Sequence, residues 1–393
     1  MGEETSTDGS ARRDWERLRR AAPFLEVFEV MGTKFCFCTV TCFFCAIDDA
    51  VAAAIESLAA GTTFDDTELR FRADPSYPAL DEVVAELSSL LESGYLSSDD
   101  PLAQAPPDGP ASVTALALIM ATSCNLRCRY CYADAGSYHR PQRLMDVATA
   151  KCAVDFLLRN SHRAKDVAIS FFGGEPLLDY RCIEEVVPYA CDRFERTGQS
   201  CSFSVTTNGT LLTPERVAFF EKHGFAYIVS LDGPADVNDR NRIFPDGSGS
   251  YQQVIARLTQ LEEKFPGFRE KITIRATFTG QDHALVSCLA HLRQLGFRQI
   301  ALESCSALPE QLGIANEGVP GILREYDAAA RWYLEQLEAG DRFIFSHMHQ
   351  LFFQVAEGTK RITQCGAGRG YLAVLSRGHP EGEVALGDVG IHR

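Results

Sequence analysis

The sequence predicts an α/β protein, a partial (β/α)6 TIM-like barrel preceded by a small winged-helix-like α+β domain. Three observations carry this. Six short apolar runs recur between residues 115 and 303, and segments of helical spacing separate them. Polar motifs stand where the runs end. A proline-rich stretch divides this region from a shorter one with a different pattern.

Taken in order, residues 1–22 are polar and are expected to be a disordered N-terminus, with the basic run Arg12 to Arg20 a solvated, frayed helix. Residues 23–97 form the small domain. Phe24–Val30 and Lys34–Val40 read as hairpin strands turned at Gly32, and Ala46–Leu58 reads as a helix. A second helix starts near Leu80, lays Leu80, Val84, Leu87 and Leu91 on one face, and stops before Gly94. Residues 98–112, with Pro101, Pro106, Pro107 and Pro110, are a linker.

The barrel occupies 113–310. Its strands are expected at Ala115–Ala121, Val167–Phe172, Cys201–Thr207, Ala226–Leu231, Ile272–Phe278 and Gln299–Glu303. Asp146 caps a helix whose inner face carries Val147, Ala150, Val154 and Leu157. Ile183, Val187, Ala190 and Phe194 mark the next. Strands that alternate with helices argue a parallel sheet with its site at the strands' C-terminal ends. Residues 311–393 supply bridging helices and a C-terminal region.

Charge narrows the partners. The net charge is −15, from 53 acidic against 38 basic side chains, a field that repels nucleic acid and anionic lipid. No apolar run approaches the ~20 residues of a membrane span, and the start lacks the order of a secretion signal. The expectation is a cytoplasmic protein with no nucleic-acid or membrane partner. Fourteen cysteines in a reducing compartment then point to metal rather than disulfides.

Cys124, Cys128 and Cys131 directly follow the first barrel strand, spaced C-x3-C-x2-C. Three thiolates can ligate three irons of a cubane and leave the fourth open to a small molecule. The competing structural zinc site wants four ligands. A second group, Cys36, Cys38, Cys42 and Cys45, could bind zinc or a cluster, but Phe35-Cys36-Phe37-Cys38 alternates as a packed strand does. Cys152, Cys182, Cys191, Cys201 and Cys288 read as core packing.

At the loop from Cys124 to Tyr132 the chain resembles the radical S-adenosylmethionine (SAM) superfamily. That resemblance implies a 4Fe–4S cluster on Cys124, Cys128 and Cys131, with Tyr130 beside the adenine of SAM. Gly173-Gly174-Glu175, ending the second strand, resembles the motif that meets the methionine amino group, where absent Cβ atoms would admit a ligand. Thr206-Thr207-Asn208-Gly209 and Ser230-Leu231-Asp232-Gly233-Pro234 resemble the subfamily with a C-terminal SPASM region. By that likeness Asn208, Ser230 and Asp232 present polar atoms to SAM, and Arg242 meets its carboxylate or ribose edge. The histidine of the related signature is Asn238 here. No catalytic acid or base is assigned.

Beyond the barrel, Glu325-Tyr326-Asp327, Phe343 to His347 and Cys365 to Val374 resemble SPASM-type peptide maturases that form thioether bridges in cysteine-rich ribosomal peptides. The implied partners are a ribosomally synthesised precursor peptide and an electron donor, either a reductase or a flavodoxin or ferredoxin. The small domain would bind the precursor's leader, or simply pack on the barrel. The SPASM region reads as truncated or degenerate, because no cysteine follows Cys365. An auxiliary Fe–S cluster would need remote ligands, with Cys305 and Cys365 the candidates. Two other readings stand beside the thioether maturase: a radical SAM enzyme for a protein side chain (the anaerobic sulfatase-maturase type) or a small molecule, and a catalytically degenerate scaffold that only binds precursor.

Overall fold

A computed structural model describes residues 5–30, 32–99, 112–162, 164–280, 284–305, 312–358, 370–375 and 385–386. Two compact units emerge. One comprises 1–109 and 350–364, the other 110–349 and 365–393. Most of the expected linker and all of Cys365 to Arg369 lie outside the described residues.

The first unit opens on a helix, not a disordered segment. α1 (Thr5–Ala21) places Ala11, Trp15 and Leu18 in the core at helical spacing. Trp15 Nε1 donates to the Thr62 carbonyl at 3.1 Å. The run from Arg12 to Arg20 is the wet face of this amphipathic helix, and its charge density hid the apolar stripe.

Strands β1 (Leu25–Val30), β2 (Thr33–Cys38) and β3 (Phe44–Ile47) follow as an antiparallel meander in the order β1-β2-β3. The start of the helix expected over Ala46–Leu58 is thus strand. Asp48 ends it and caps α2 (Asp49–Ala59), accepting from Val51 N at 2.8 Å. Helices α3 (Phe64–Ala73) and α4 (Leu80–Glu92) complete the unit.

Cys36 and Cys38 point into this core, and Cys36 stands opposite Cys45 across the β2–β3 ladder. Burial pushes the Cys36 thiol up to about 12. Among the described residues no group of three or more His, Cys, Asp or Glu is disposed to hold a metal ion. Buried in this apolar cluster, Cys36 and Cys38 pack as small hydrophobes.

In the second unit the expected alternation forms. The strands are β4 (Ala115–Ala121), β5 (Asp166–Gly173), β6 (Ser200–Thr207), β7 (Ala226–Ser230), β8 (Ile272–Phe278) and β9 (Gln299–Ser304), each end within one residue of expectation. The connecting helices are α5 (Val147–Asn160), α6 (Tyr180–Glu195), α7 (Pro214–Lys222), α8 (Ala235–Asn241), α9 (Tyr251–Lys264) and α10 (Leu285–Gln294). Asp146 caps α5, its Oδ1 accepting from Thr149 N at 2.8 Å. Ala150, Val154 and Leu157 of α5, and Ile183, Val187, Ala190 and Phe194 of α6, are buried against the sheet.

The segment expected to bridge onward instead extends that sheet. After α11 (Val319–Glu338), β10 (Ile344–Phe345) adds parallel to β9, and α12 (Ser346–Glu357) follows. β11 (Tyr371–Leu375) adds parallel to β4, and β12 (Ala385–Leu386) pairs antiparallel with β11. The order is β10-β9-β8-β7-β6-β5-β4-β11-β12, so β4 and β9 do not pair and the barrel stays open. No helix of the described residues is long and apolar enough to cross a membrane.

Candidate active site

The β4–β5 register shifts between Ile119 and Ala121, just where the cysteine loop departs. Such irregularities re-aim the chain beside functional sites. Cys124, Cys128 and Cys131 then line one cavity of about 210 Å³ at the C-terminal ends of the strands. Tyr130, Gly173, Gly174, Asn208, Ser230 and Arg242 share that wall. So does Cys305, whereas Cys365 lies outside the described residues.

Two turns of the chain owe their glycines to the protein's own backbone. A Cβ on Gly174 would strike the Ser123 carbonyl, closer than real Cβ atoms approach anything, and would press on the Gly136 Cα. Gly136 itself holds φ +87° and lies against Gly174. Gly174 N donates to the Ala121 carbonyl at 2.9 Å and Glu175 N to that of Ser123 at 3.0 Å. The glycines therefore admit the cysteine loop to the end of β5, where a ligand had been expected.

Glu175 is wholly buried. Its carboxylate accepts from Asn208 N and Thr207 Oγ1, both at 2.8 Å, and from Leu177 N at 3.1 Å. It clamps the ends of β5 and β6 together. Burial pushes its pKa up to about 6, against the pull of these donors. Between about pH 4.5 and 6 the unfolded chain releases this proton while the folded chain keeps it. Stability from this group is therefore full below that window and is lost as pH rises through it, by about 2 kcal/mol. Glu175→Gln should abolish this slope, because its amide does not titrate. It should also lower stability at pH 7 by about 2 kcal/mol, since an NH2 group then faces a backbone N–H. Urea unfolding at pH 4.5, 6 and 7 checks both; an unchanged slope would refute the assignment.

Asn208 joins β6 to the cysteine loop. Its Nδ2 donates to Asn125 Oδ1 at 2.8 Å and reaches Cys124 Sγ at 3.6 Å. Leu126 N also points at Cys124 Sγ, at 3.4 Å. Asp232 is committed to protein partners: it accepts from Tyr130 OH, from Arg242 Nε at 3.0 Å and from Thr277 N at 3.0 Å. Asn238 is buried and its Oδ1 accepts from Asp232 N at 3.2 Å, so it fixes the turn after β7.

Other groups were not singled out from sequence. Arg275, Thr277 and Glu303 line the cavity on β8 and β9. Glu303 Oε2 stands 3.6 Å from His347 Nε2, and Tyr326 OH lies 3.3 Å from His347 Nδ1. His347 draws the Glu303 pKa below the usual range. The position of Glu303 at a strand end was the available signal; nothing local marked its pairing with His347, 44 residues on.

The donor set fits a cubane. Cys124, Cys128 and Cys131 carry free thiols, and N–H groups are aimed at Cys124 sulfur. A single ion needs its ligands converged, which is not the arrangement here. A cubane takes each thiolate on a different iron. Burial raises the Cys124 thiol to about 12 and raises Cys128 as well; the thiolate that burial disfavours is the form a bound cation would stabilise.

The sequence matches the radical SAM superfamily over residues 118–282, from within β4 to just past β8. Over these residues the chain is similar to the radical SAM superfamily. Curated relatives include an uncharacterised protein of Methanocaldococcus jannaschii, 33% identical over 135 residues, covering 34% of this chain and 44% of that one. The radical SAM cyclopropyl synthase TigE of Paramaledivibacter caminithermalis is 28% identical over 38% of this chain and 33% of its own. The serine-type anaerobic sulfatase-maturating enzyme of Klebsiella aerogenes is 28% identical over 58% of this chain and 56% of its own. The chain thus spans between a third and just over half of the length of these relatives. Among solved structures, anSMEcpe with bound AdoMet and the Cp18Cys peptide superposes with a TM-score of 0.57 at 19% identity, covering 71% of this chain and 74% of that one. That likeness shows the fold, a radical SAM barrel with additional α/β elements.

Proposed function

We propose that this radical SAM enzyme carries a 4Fe–4S cluster on Cys124, Cys128 and Cys131, binds SAM, and modifies a side chain of a peptide or protein. The observation that carries the reading is the convergence of the three thiols with Gly173, Gly174, Asn208 and Ser230 on one strand-end cavity. When bound, the cluster and SAM together supply reductive sulfonium cleavage and a hydrogen-abstracting radical.

The chain's own residues supply the aim. Tyr130 and Ser230 give one wall of the SAM site, and the Gly173-Gly174 backbone with Asn208 gives another. Glu175 and Asp232 brace these walls from behind, since their carboxylate oxygens are spent on protein donors. Glu303, held ionised by His347, stands on the wall built by β9, where it can accept a proton from the substrate.

Side-chain modification is supported by the serine-type sulfatase-maturating enzyme of Klebsiella aerogenes, whose similarity covers 58% of this chain against 38% for the cyclopropyl synthase. A ribosomal precursor carrying a thioether bridge is the second reading. It draws on the first unit, where among the described residues β1 and β3 each pair on one side only and leave edges to which an extended leader could add.

The test uses the full chain, loaded anaerobically with iron and sulfide, then given dithionite, SAM and peptides containing serine or cysteine. We expect 5′-deoxyadenosine and a peptide changed at one side chain. A carbonyl-reactive product supports side-chain oxidation, whereas loss of a thiol without a carbonyl supports the bridge. Cluster-loaded protein that forms no 5′-deoxyadenosine would leave only the precursor-binding scaffold.

A further inference from the structure

Arg242 stands on the cavity wall with its charge already engaged. The guanidinium and Asp232 form an ion pair in which both side chains are almost wholly buried. Arg242 Nη1 reaches toward Cys128 Sγ at 3.8 Å, and the guanidinium carbon lies 5.6 Å from the centre of the Tyr130 ring. Asp232 holds this arrangement from behind through Tyr130 OH and Thr277 N.

A guanidinium is charged at every accessible pH, and charges near buried groups are weakly screened. At Cys128 the two members of the pair do not cancel. The guanidinium faces that sulfur through Nη1, whereas Asp232 takes the same guanidinium at Nε and its other oxygen accepts from Tyr130 OH. The sulfur therefore sits beside a net positive source fixed by the fold. Hydrogen bonds to cluster sulfurs and local charge are among the factors that set Fe–S potentials.

We propose that Arg242 and Asp232 set the reduction potential of the cluster held on Cys128, the guanidinium favouring the reduced state and the carboxylate limiting that preference. This rests on the cluster reading above. One electron enters from an external one-electron reductant, and no bond forms or breaks. Arg242 and Asp232 are positioning residues in this role.

Potentiometric titration of the reconstituted full chain without SAM, read by electron paramagnetic resonance, tests it. At the potential where the parent protein is half reduced, Arg242→Gln should show a reduced-to-oxidised ratio at least about tenfold lower, which is about 59 mV for a one-electron couple. Asp232→Asn should move the ratio severalfold the other way. Arg242→Lys keeps the charge and should stay near the parent. An Arg242→Gln ratio within twofold of the parent would overturn the proposal. So would a shift of Asp232→Asn in the same direction as Arg242→Gln, which is what plain loss of order produces. Should Arg242→Gln hold no cluster, Asp232→Asn decides alone, and an unchanged or lowered ratio there refutes the assignment. A parent protein without cubane iron and sulfide would instead sink the cluster reading itself, which is visible before any titration.

Discussion

Cys128→Ala is expected to remove the cluster and to reduce 5′-deoxyadenosine formation by at least about 10³-fold. Enzymes owe rate enhancements of roughly 10⁶-fold or more to their reactive groups, and here the cofactor, not an acid–base pair, supplies the reactivity. Losing one of three thiolates leaves two irons unclaimed by protein, which a cubane open at a single corner does not tolerate. Cys128 is also the thiol facing Arg242, so its removal leaves that guanidinium without the sulfur it faces. Iron and sulfide content, visible absorption and chromatography of the SAM products are the readouts. Cys182→Ala is the control, because Cys182 is buried against the barrel core, away from the cavity. It should keep the parent's iron content whatever its cost in stability. Equal iron in Cys128→Ala and the parent would show that the cluster lies elsewhere.

The first barrel strand was legible because it is buried on both faces. Ala115–Ala121 reads as an unbroken apolar run, as a central parallel strand must, and the intervening helices keep a clean 3.6-residue stripe. The cysteine loop was legible because its three cysteines are local in sequence. The first helix was not, since five arginines over nine positions outweighed the buried stripe of Ala11, Trp15 and Leu18. The tasks of Glu175 and Asp232 were equally hidden. A motif names a carboxylate, but only the fold shows that Asn208, Thr207, Thr277 and Arg242 occupy its oxygens. The same holds for Glu303 and His347, which meet only when β10 is laid beside β9.

Gly174→Ala should lower stability by about 3 kcal/mol and strip most of the cluster iron, through one methyl group. The added carbon has no free volume, because the Ser123 carbonyl and the Gly136 Cα already fill the position. These are backbone atoms and cannot swing aside as a side-chain tip can. Overpacking of this kind costs roughly 1–3 kcal/mol and occasionally more. Relief requires Ser123 to move, which breaks the bonds from Gly174 N to Ala121 and from Glu175 N to Ser123. It also displaces Cys124, the next residue. Gly198→Ala separates this steric cause from glycine's conformational freedom. Gly198 holds φ +70° with nothing within 4 Å of its would-be Cβ, so alanine there meets backbone strain alone. That costs about 1 kcal/mol, with full retention of iron. Thermal unfolding and iron analysis of the two variants should therefore diverge. A Gly174→Ala protein that melts with the parent and keeps its iron would mean that the loop and the β5 turn are not in contact, and that the wall on which the thiols converge is built otherwise.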